Sequence, residues 1–162
     1  FTTLLWNPIM KRHHRSQTMG ILCDPSHPAL AEFPTEAHSN WQWWDVIHPS
    51  LVLDIDGMSP QPEPIIRMID SFIGHHCLSL LFEVKLGQGR LLITSLDLSS
   101  DLATRHAARQ LRSSIQNYVA SDLFNPKVMI TSEDIEKLIA VHQQKPVAET
   151  RDQITARFNQ VP

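Results

Sequence analysis

The densest group of chemically distinctive side chains is the run His38-Ser39-Asn40-Trp41-Gln42-Trp43-Trp44-Asp45, which holds three of the chain's four tryptophans. On a helix, Trp41 and Trp44 share one face and Trp43 points elsewhere. One interpretation is an aromatic platform that stacks on sugar rings or anchors another domain. The pattern favours the other interpretation, in which the tryptophans fill the core and a domain interface, because a helix apolar on more than one side is buried on more than one side. The candidate contact residues for an interface or a sugar are His38, Asn40, Trp41, Trp43 and Trp44.

The candidate nucleophiles are the two cysteines, Cys23 and Cys77. A nucleophile in an α/β protein usually sits on a glycine-flanked elbow between a strand and a helix, as in G-x-S-x-G, and neither cysteine has flanking glycines. His76 precedes Cys77, but neighbours in a strand point to opposite faces. The sequence therefore predicts no catalytic residue. A small cysteine-dependent hydrolase or amidotransferase stays open as an alternative.

Metal, phosphate and sugar-hydrolysis motifs are absent from the sequence. The nine histidines include no H-E-x-x-H, and there is no C-x-x-C. The run Asp54-Ile55-Asp56-Gly57 has its glycine at the fourth position, whereas a calcium-binding EF-hand loop needs it at the sixth. No G-x-G-x-x-G or Walker motif occurs, and the glutamates are scattered over loops and strands. We therefore expect neither a cofactor nor a metal.

Composition excludes two classes of partner. With 14 Lys and Arg against 17 Asp and Glu, the 162-residue chain has a net charge of −3, which is not the basic footprint of a nucleic-acid-binding protein. No apolar run approaches the roughly 18 residues of a membrane helix. The first residues, Phe1-Thr2-Thr3-Leu4-Leu5-Trp6, resemble a strand joined in mid-course. We therefore expect a soluble domain cut from a longer protein, with no nucleic-acid or membrane partner.

The elements that position these residues follow from hydrophobic periodicity. Apolar runs predict strands at 19–24, 51–56, 65–69, 78–84 and 90–96, and Gly87-Gln88-Gly89 predicts a hairpin between the last two. The pattern predicts helices at 41–47, capped by Ser39 or Asn40, and at 101–121, capped by Ser99 or Ser100. Ser26 or His27 could cap a short helix, and Thr131-Ser132-Glu133-Asp134 is typical of a capping box that opens another. A last helix is expected around Ile154 and Phe158. A hairpin in such a chain indicates an α/β domain with a mixed sheet.

Several longer motifs resemble a C-terminal domain of bacterial glycoside hydrolase family 2 proteins, the β-galactosidase-like enzymes. The first are Met19-Gly20-Ile21-Leu22-Cys23-Asp24-Pro25-Ser26-His27-Pro28-Ala29-Leu30, Phe33-Pro34-Thr35 and the tryptophan-rich run. The others are Asn7-Pro8, Ile69-Asp70-Ser71-Phe72, Leu80 to Leu92 and Ala107-Ala108-Arg109-Gln110-Leu111. The likeness covers roughly residues 1–126, and residues 127–162 match no family pattern.

The resemblance implies a fold like that of the class I glutamine amidotransferases, also described as flavodoxin-like. This fold has three layers, with a mostly parallel sheet and helices on both faces, and here it would carry a hairpin and a C-terminal helical extension. Residues 1–126 would form the amidotransferase-like accessory domain, and 127–162 a helical extension or linker. The catalytic glutamates of such enzymes belong to a barrel outside this chain. The implied function is a non-catalytic accessory or interface domain in carbohydrate breakdown, with a carbohydrate-binding module as the alternative. The implied partners are other domains of the parent, a second copy or a carbohydrate, and the implied location is periplasmic or extracellular.

Overall fold

The computed structural model describes residues 18–47, 50–70 and 75–143, and for 141–143 the backbone alone. Its six strands are β1 (Gly20–Cys23), β2 (Leu53–Asp54), β3 (Pro64–Ile69), β4 (Leu78–Leu86), β5 (Gly89–Thr94) and β6 (Met129–Ile130). Its helices are α1 (Trp41–Ile47), α2 (His106–Ala120) and α3 (Ser132–Gln143), with a 3₁₀ turn at Pro28–Leu30. The strand expected at 1–6 and the helix expected around Ile154 and Phe158 lie outside the described residues. No described helix has the length and apolarity needed to cross a membrane.

The six strands form one sheet built around β4. One edge of β4 pairs with β3 and then with β6, and its other edge pairs with β2 and then with β5. Strand β1 pairs with the far side of β3. Every pairing is antiparallel except that of β4 with β6. The sheet is therefore mixed, as the hairpin indicated, and mostly antiparallel.

The prediction of a three-layer, mostly parallel sheet of the glutamine amidotransferase or flavodoxin type is wrong. The physical reason lies in the connections. Parallel neighbours need a crossover of a dozen or more residues. Strand β3 ends at Ile69 and β4 begins at Leu78, and β4 ends at Leu86 with β5 beginning at Gly89. These links are too short for a crossover, so both pairs must be antiparallel.

The hairpin between β4 and β5 is confirmed. Leu86 pairs with Gly89 across a turn made by Gly87 and Gln88. Gly87 has φ 57°, a left-handed conformation that glycine adopts without strain. This turn fixes the register along the whole length of β5.

A β-bulge in β4 decides which core each side chain enters. Ile66 pairs with Leu81 and Arg67 pairs with Ser79, so Leu80 has no partner across the β3–β4 ladder. Leu80 and Leu81 both join the first of two hydrophobic clusters. Beyond the bulge, the alternation of side chains between the two faces of the sheet is inverted, because an inserted residue shifts every later side chain to the other face. The β4 side chains that then join the second cluster are Phe82 and Val84.

The first and larger cluster combines sheet residues with the 3₁₀ turn, α1 and α2; its largest member is Trp43. The buried Ser114 of α2 ties these elements together, since its hydroxyl donates to the carbonyl of Ala29 (2.8 Å) and accepts from the N–H of Glu32 (3.1 Å). The second cluster contains Leu138 of α3 and Ile130 of β6. The part of the chain from Val128 to Leu138 is therefore packed against the rest of the structure.

Helix α2 begins later than the expected residue 101. The Asp97 carboxylate accepts hydrogen bonds from the N–H groups of Ser99 (3.1 Å) and Ser100 (3.0 Å), which forms a turn instead of a helix cap. Asp101 then has φ 49°, which interrupts any right-handed helix. The helix begins five residues later, at His106.

Candidate functional site

Helix α1 carries the tryptophan-rich run, and its span of Trp41–Ile47 confirms the prediction. Asn40 precedes the helix and caps it, because its side-chain oxygen accepts from the N–H of Gln42 (3.2 Å) and its carbonyl accepts from that of Trp43 (3.1 Å). The Gln42 amide donates to the carbonyl of Pro34 (2.9 Å). These bonds fix the start of α1 against the preceding loop.

Trp43 anchors α1 in the core. Its side chain is completely buried, and its indole N–H donates to the Thr35 hydroxyl at 2.7 Å. Its ring meets that of Phe33 edge to face, with 5.1 Å between the centroids. Trp43 is therefore a core residue, and the structure separates it from the other candidate contact residues.

Trp41 and Trp44 lie on the solvent side of the same helix. Trp41 is 89% exposed and Trp44 is 47% exposed. They are three residues apart, so their side chains are neighbours on one face. We call Trp41 and Trp44 the tryptophan face. A large exposed indole is unusual, because tryptophan is among the side chains that gain most from burial.

The end of α1 is held by Arg105, which the sequence did not single out. The Arg105 guanidinium donates to the Asp45 carboxylate (3.1 Å) and to the Asp45 carbonyl (2.9 Å). The same guanidinium donates to the Asp97 carboxylate at 3.1 Å. Arg105 is 60 residues from Asp45 in sequence, so only the fold could show this bridge. It links α1, which carries the tryptophan face, to the start of α2.

The remaining candidate contact residues lie at the border of α1. Asn40 is exposed, but its side-chain oxygen is engaged in capping the helix. His38 is exposed, and its backbone forms an isolated bridge with Leu22 of β1. The structure therefore brings Asn40 next to the tryptophan face and places His38 beside the edge of the sheet.

Neither cysteine has the environment of a nucleophile. Burial raises the pKa of the Cys23 thiol, and burial likewise raises that of Cys77, so both thiols are protonated at neutral pH. The Cys23 thiol donates to the Glu36 carbonyl at 3.4 Å. Within the described residues, neither thiol forms a hydrogen bond with a histidine that could act as its general base.

The structure also shows a histidine–carboxylate pair that the sequence analysis missed. His76 Nδ1 lies 2.7 Å from Asp70 Oδ2, and the His76 N–H also donates to that oxygen at 3.1 Å. The Asp70 side chain is 6% exposed and that of His76 is 45% exposed. The hydrogen bond to Asp70 raises the pKa of His76, with smaller contributions from nearby Asp54 and Asp56. No sequence signal identifies this pair, because six residues separate its members and no known motif has this spacing.

A groove of about 210 Å³ opens between β2 and α3, and Asp54, Asp56 and Asp134 are among the residues that line it. The carboxylates that line the groove accept hydrogen bonds from backbone N–H groups. Asp54 accepts from the N–H of Asp56 (3.1 Å), Asp56 accepts from that of Cys77 (2.9 Å), and Asp134 accepts from that of Thr131 (2.9 Å). Among the described residues, no group of three or more metal-ligating side chains could hold an ion. These carboxylates stabilise turns and the start of α3.

Comparison with known proteins identifies the family. A family model described as a domain of unknown function, DUF8487, matches residues 1–140, which is most of the chain. No curated protein matches the sequence. The match includes the tryptophan face, the whole described sheet and most of α3. The chain therefore belongs to the DUF8487 family.

Proposed function

We propose that this member of the DUF8487 family is a non-catalytic accessory domain of a β-galactosidase-like glycoside hydrolase, and that it packs on a neighbouring domain or subunit through the tryptophan face. The observation that carries the proposal is the contrast along α1. Trp43 is fully buried and anchors the helix, whereas Trp41, two residues away, is 89% exposed. The type of parent enzyme rests on the resemblance of the sequence motifs.

The tryptophan face has the properties of an interface anchor. Tryptophan is enriched among the residues that dominate binding energy at protein interfaces. Arg105 and Gln42 already hold α1 in place, through Asp45 and the Pro34 carbonyl. A partner would therefore bind a preformed surface and lose little conformational entropy on ordering it.

The non-catalytic assignment is supported by the chemistry of the described residues. The two thiols are held protonated by burial, and the groove carboxylates already accept hydrogen bonds from the backbone. The glutamates that cleave the glycosidic bond would belong to another part of the parent protein. The exported location implied by the same resemblance stays a prediction.

A carbohydrate-binding module is the second candidate. An exposed indole with a polar neighbour is the kind of surface on which sugar rings stack, and Trp41 has Asn40 beside it. This candidate differs from the first in one measurable way. It requires binding by the isolated chain, whereas the accessory domain requires the rest of the parent.

The test is Trp41→Ala in the full-length parent protein, with Leu123→Ala as the matched control, since Leu123 is 65% exposed and lies outside α1. We expect W41A to weaken docking by about 2–4 kcal/mol, the range of interface hot spots, and L123A to have little effect. Limited proteolysis and the melting temperature of the assembled protein report docking. Hydrolysis of a chromogenic galactoside by the parent reports catalysis, to which this domain contributes no residue.

The outcomes separate the candidates. Unchanged docking in W41A would contradict the interface proposal. Calorimetric binding of galactosides to the isolated chain that disappears in W41A would establish the carbohydrate-binding module instead. Hydrolysis by the isolated chain would contradict both.

A further inference from the structure

Strand β5 forms an open edge of the sheet. It pairs with β4 along its whole length, and in the described part of the chain no backbone hydrogen bond reaches its other side. The three central side chains, Leu91, Leu92 and Ile93, are partly exposed. An open edge with apolar side chains is a template for pairing with another strand.

The backbone groups at this edge can be assigned from the register. In a two-residue hairpin the pair next to the turn, Leu86 and Gly89, exchanges hydrogen bonds, and bonded pairs then alternate with non-bonded ones. The Lys85 N–H donates to the Val128 carbonyl, on the side of β4 away from β5. Lys85 and Arg90 are therefore a non-bonded pair, as this alternation requires. The N–H and C=O groups of every second residue in β5 therefore point outward. These outward-facing residues are Arg90, Leu92 and Thr94.

The opposite edge of the sheet is protected, whereas no backbone segment among the described residues pairs with the outer side of β5. At the β1 edge, the Cys23 N–H donates to the Ala37 carbonyl at 3.0 Å and Leu22 forms a bridge with His38. Proteins usually protect edges with proline, inward charges or bulges. Strand β5 contains none of these, and its one charged residue, Arg90, donates to the carbonyl of Phe124.

We infer that β5 is a homodimerisation edge, at which a second copy of this chain adds its own β5 antiparallel about a two-fold axis at Leu92. The outward-facing residues are evenly spaced about Leu92, so the edge is self-complementary. Leu92 would pair with the partner's Leu92, and Arg90 with the partner's Thr94. Each of the three pairs would exchange two hydrogen bonds, which would satisfy all the outward-facing groups.

The side chains favour this register. The two Arg90 residues would each face a threonine, so the pairing sets no like charges opposite each other. The edge is also rigid before binding, because the Thr94 hydroxyl donates to the Leu80 carbonyl at 2.8 Å and the Arg90 guanidinium is stacked on Phe124 at 5.3 Å. The surface uses none of the residues of the tryptophan face and does not depend on the proposed function.

The first test is sedimentation velocity of the 162-residue chain between about 5 and 500 µM, a range suited to an interface of this small size. We expect a monomer–dimer equilibrium. Leu92→Lys and Leu92→Glu, which set like charges opposite each other, should each weaken dimerisation at least roughly tenfold. An equimolar mixture of L92K and L92E should restore dimers. Leu123→Lys is the control and should dimerise like the wild type.

The second test needs no substitution and uses residue-resolved amide hydrogen exchange. The amides of Leu91 and Ile93 bond to β4 and should exchange slowly at every concentration. Those of Arg90, Leu92 and Thr94 should exchange fast in the dilute chain and more slowly as dimers form. A chain that stays monomeric throughout this range would overturn the inference. So would a dimer that L92K and L92E do not weaken, or protection that does not alternate along β5.

Discussion

The sharpest stability prediction compares two tryptophans two residues apart on α1. Trp43 is completely buried, whereas Trp41 is 89% exposed. The same substitution to phenylalanine should therefore destabilise the isolated chain at one position and leave it almost unchanged at the other. The pair is a matched test, because the helix, the residue type and the chemical change are shared.

The magnitude at Trp43 follows from its contacts. Trp43→Phe removes the indole N–H that donates to Thr35 at 2.7 Å, a loss of about 1 kcal/mol. It also empties part of a site packed against Phe33, for roughly another 1–2 kcal/mol. The free energy of unfolding should thus fall by about 2–3 kcal/mol. Trp43→Ala should cost about 3–5 kcal/mol, and Trp41→Phe less than about 0.5 kcal/mol.

The assay is urea unfolding followed by far-ultraviolet circular dichroism, which does not depend on the substituted indole. Thermal unfolding measures the same difference as a shift in melting temperature. At a loss of roughly 2–4 °C per kcal/mol for a chain of this size, the melting temperature of W43F should lie about 4–12 °C below that of the wild type, and that of W41F within about 2 °C of it. An unchanged slope of the unfolding free energy against urea concentration would show that the substitution does not alter the unfolded state. Equal destabilisation by W43F and W41F would refute the assignment of Trp43 to the core and Trp41 to the surface.

Three further predictions concern single contacts. Asp70→Asn should lower the raised pKa of His76 toward 6.5 in an NMR titration. It should also remove a stabilisation that the wild type has in full below pH 6.5 and loses as the pH rises through the raised pKa, so the urea midpoints of the wild type and D70N should differ more at pH 5.5 than at pH 8.5; an equal difference at the two pH values would contradict it. Thr131→Ala should destabilise α3 by about 1 kcal/mol, measured as faster amide exchange in its first turn, because the Thr131 hydroxyl caps the N–H of Asp134 at 3.3 Å; unaltered exchange would exclude a capping role. Gly20→Ala should lower the free energy of unfolding by about 1–3 kcal/mol in urea titrations. Gly20 has φ 142°, and a Cβ there would lie 2.8 Å from the Ser39 hydroxyl oxygen. A neutral effect would show that the backbone relaxes freely at this point.

Local signals in the sequence predicted local structure well. The tryptophan-rich run predicted α1 with its correct bounds, and Gly87-Gln88-Gly89 predicted the hairpin. The capping box at Thr131 is confirmed by reciprocal hydrogen bonds with Asp134. Each of these signals is complete within a few neighbouring residues, so no tertiary contact is needed to interpret it.

Strand direction could not be predicted in the same way. The resemblance implied a mostly parallel sheet, and a strand's own sequence does not encode which neighbour it will pair with. The lengths of the links did carry information, since the link from Ile69 to Leu78 is too short for a parallel crossover. The bulge at Leu80 could not be predicted for a different reason, because the apolar run Leu80-Leu81-Phe82 fits a strand with or without an inserted residue.

The contacts around the site were predicted only in part. The helical spacing separated Trp43 from Trp41 and Trp44, and the structure agrees. The Arg105 bridge and the Asp70–His76 pair depend on chain segments that meet only after folding. Helical spacing therefore distinguished the two sides of α1, and the fold supplied the side chains that hold the helix in place.

The two proposed interaction surfaces differ in what they ask of a partner. The tryptophan face offers apolar area on a fixed helix, so any partner with a complementary pocket would satisfy it, and in the proposed accessory role that partner is a domain or subunit of the parent protein. The β5 edge offers backbone groups at Arg90, Leu92 and Thr94, which only an extended strand can satisfy. Symmetry about Leu92 makes a second β5 such a strand. A dimer formed through β5 would leave both tryptophan faces to the rest of the parent, so an accessory domain of this kind could join two parent chains while each copy stays docked on its own.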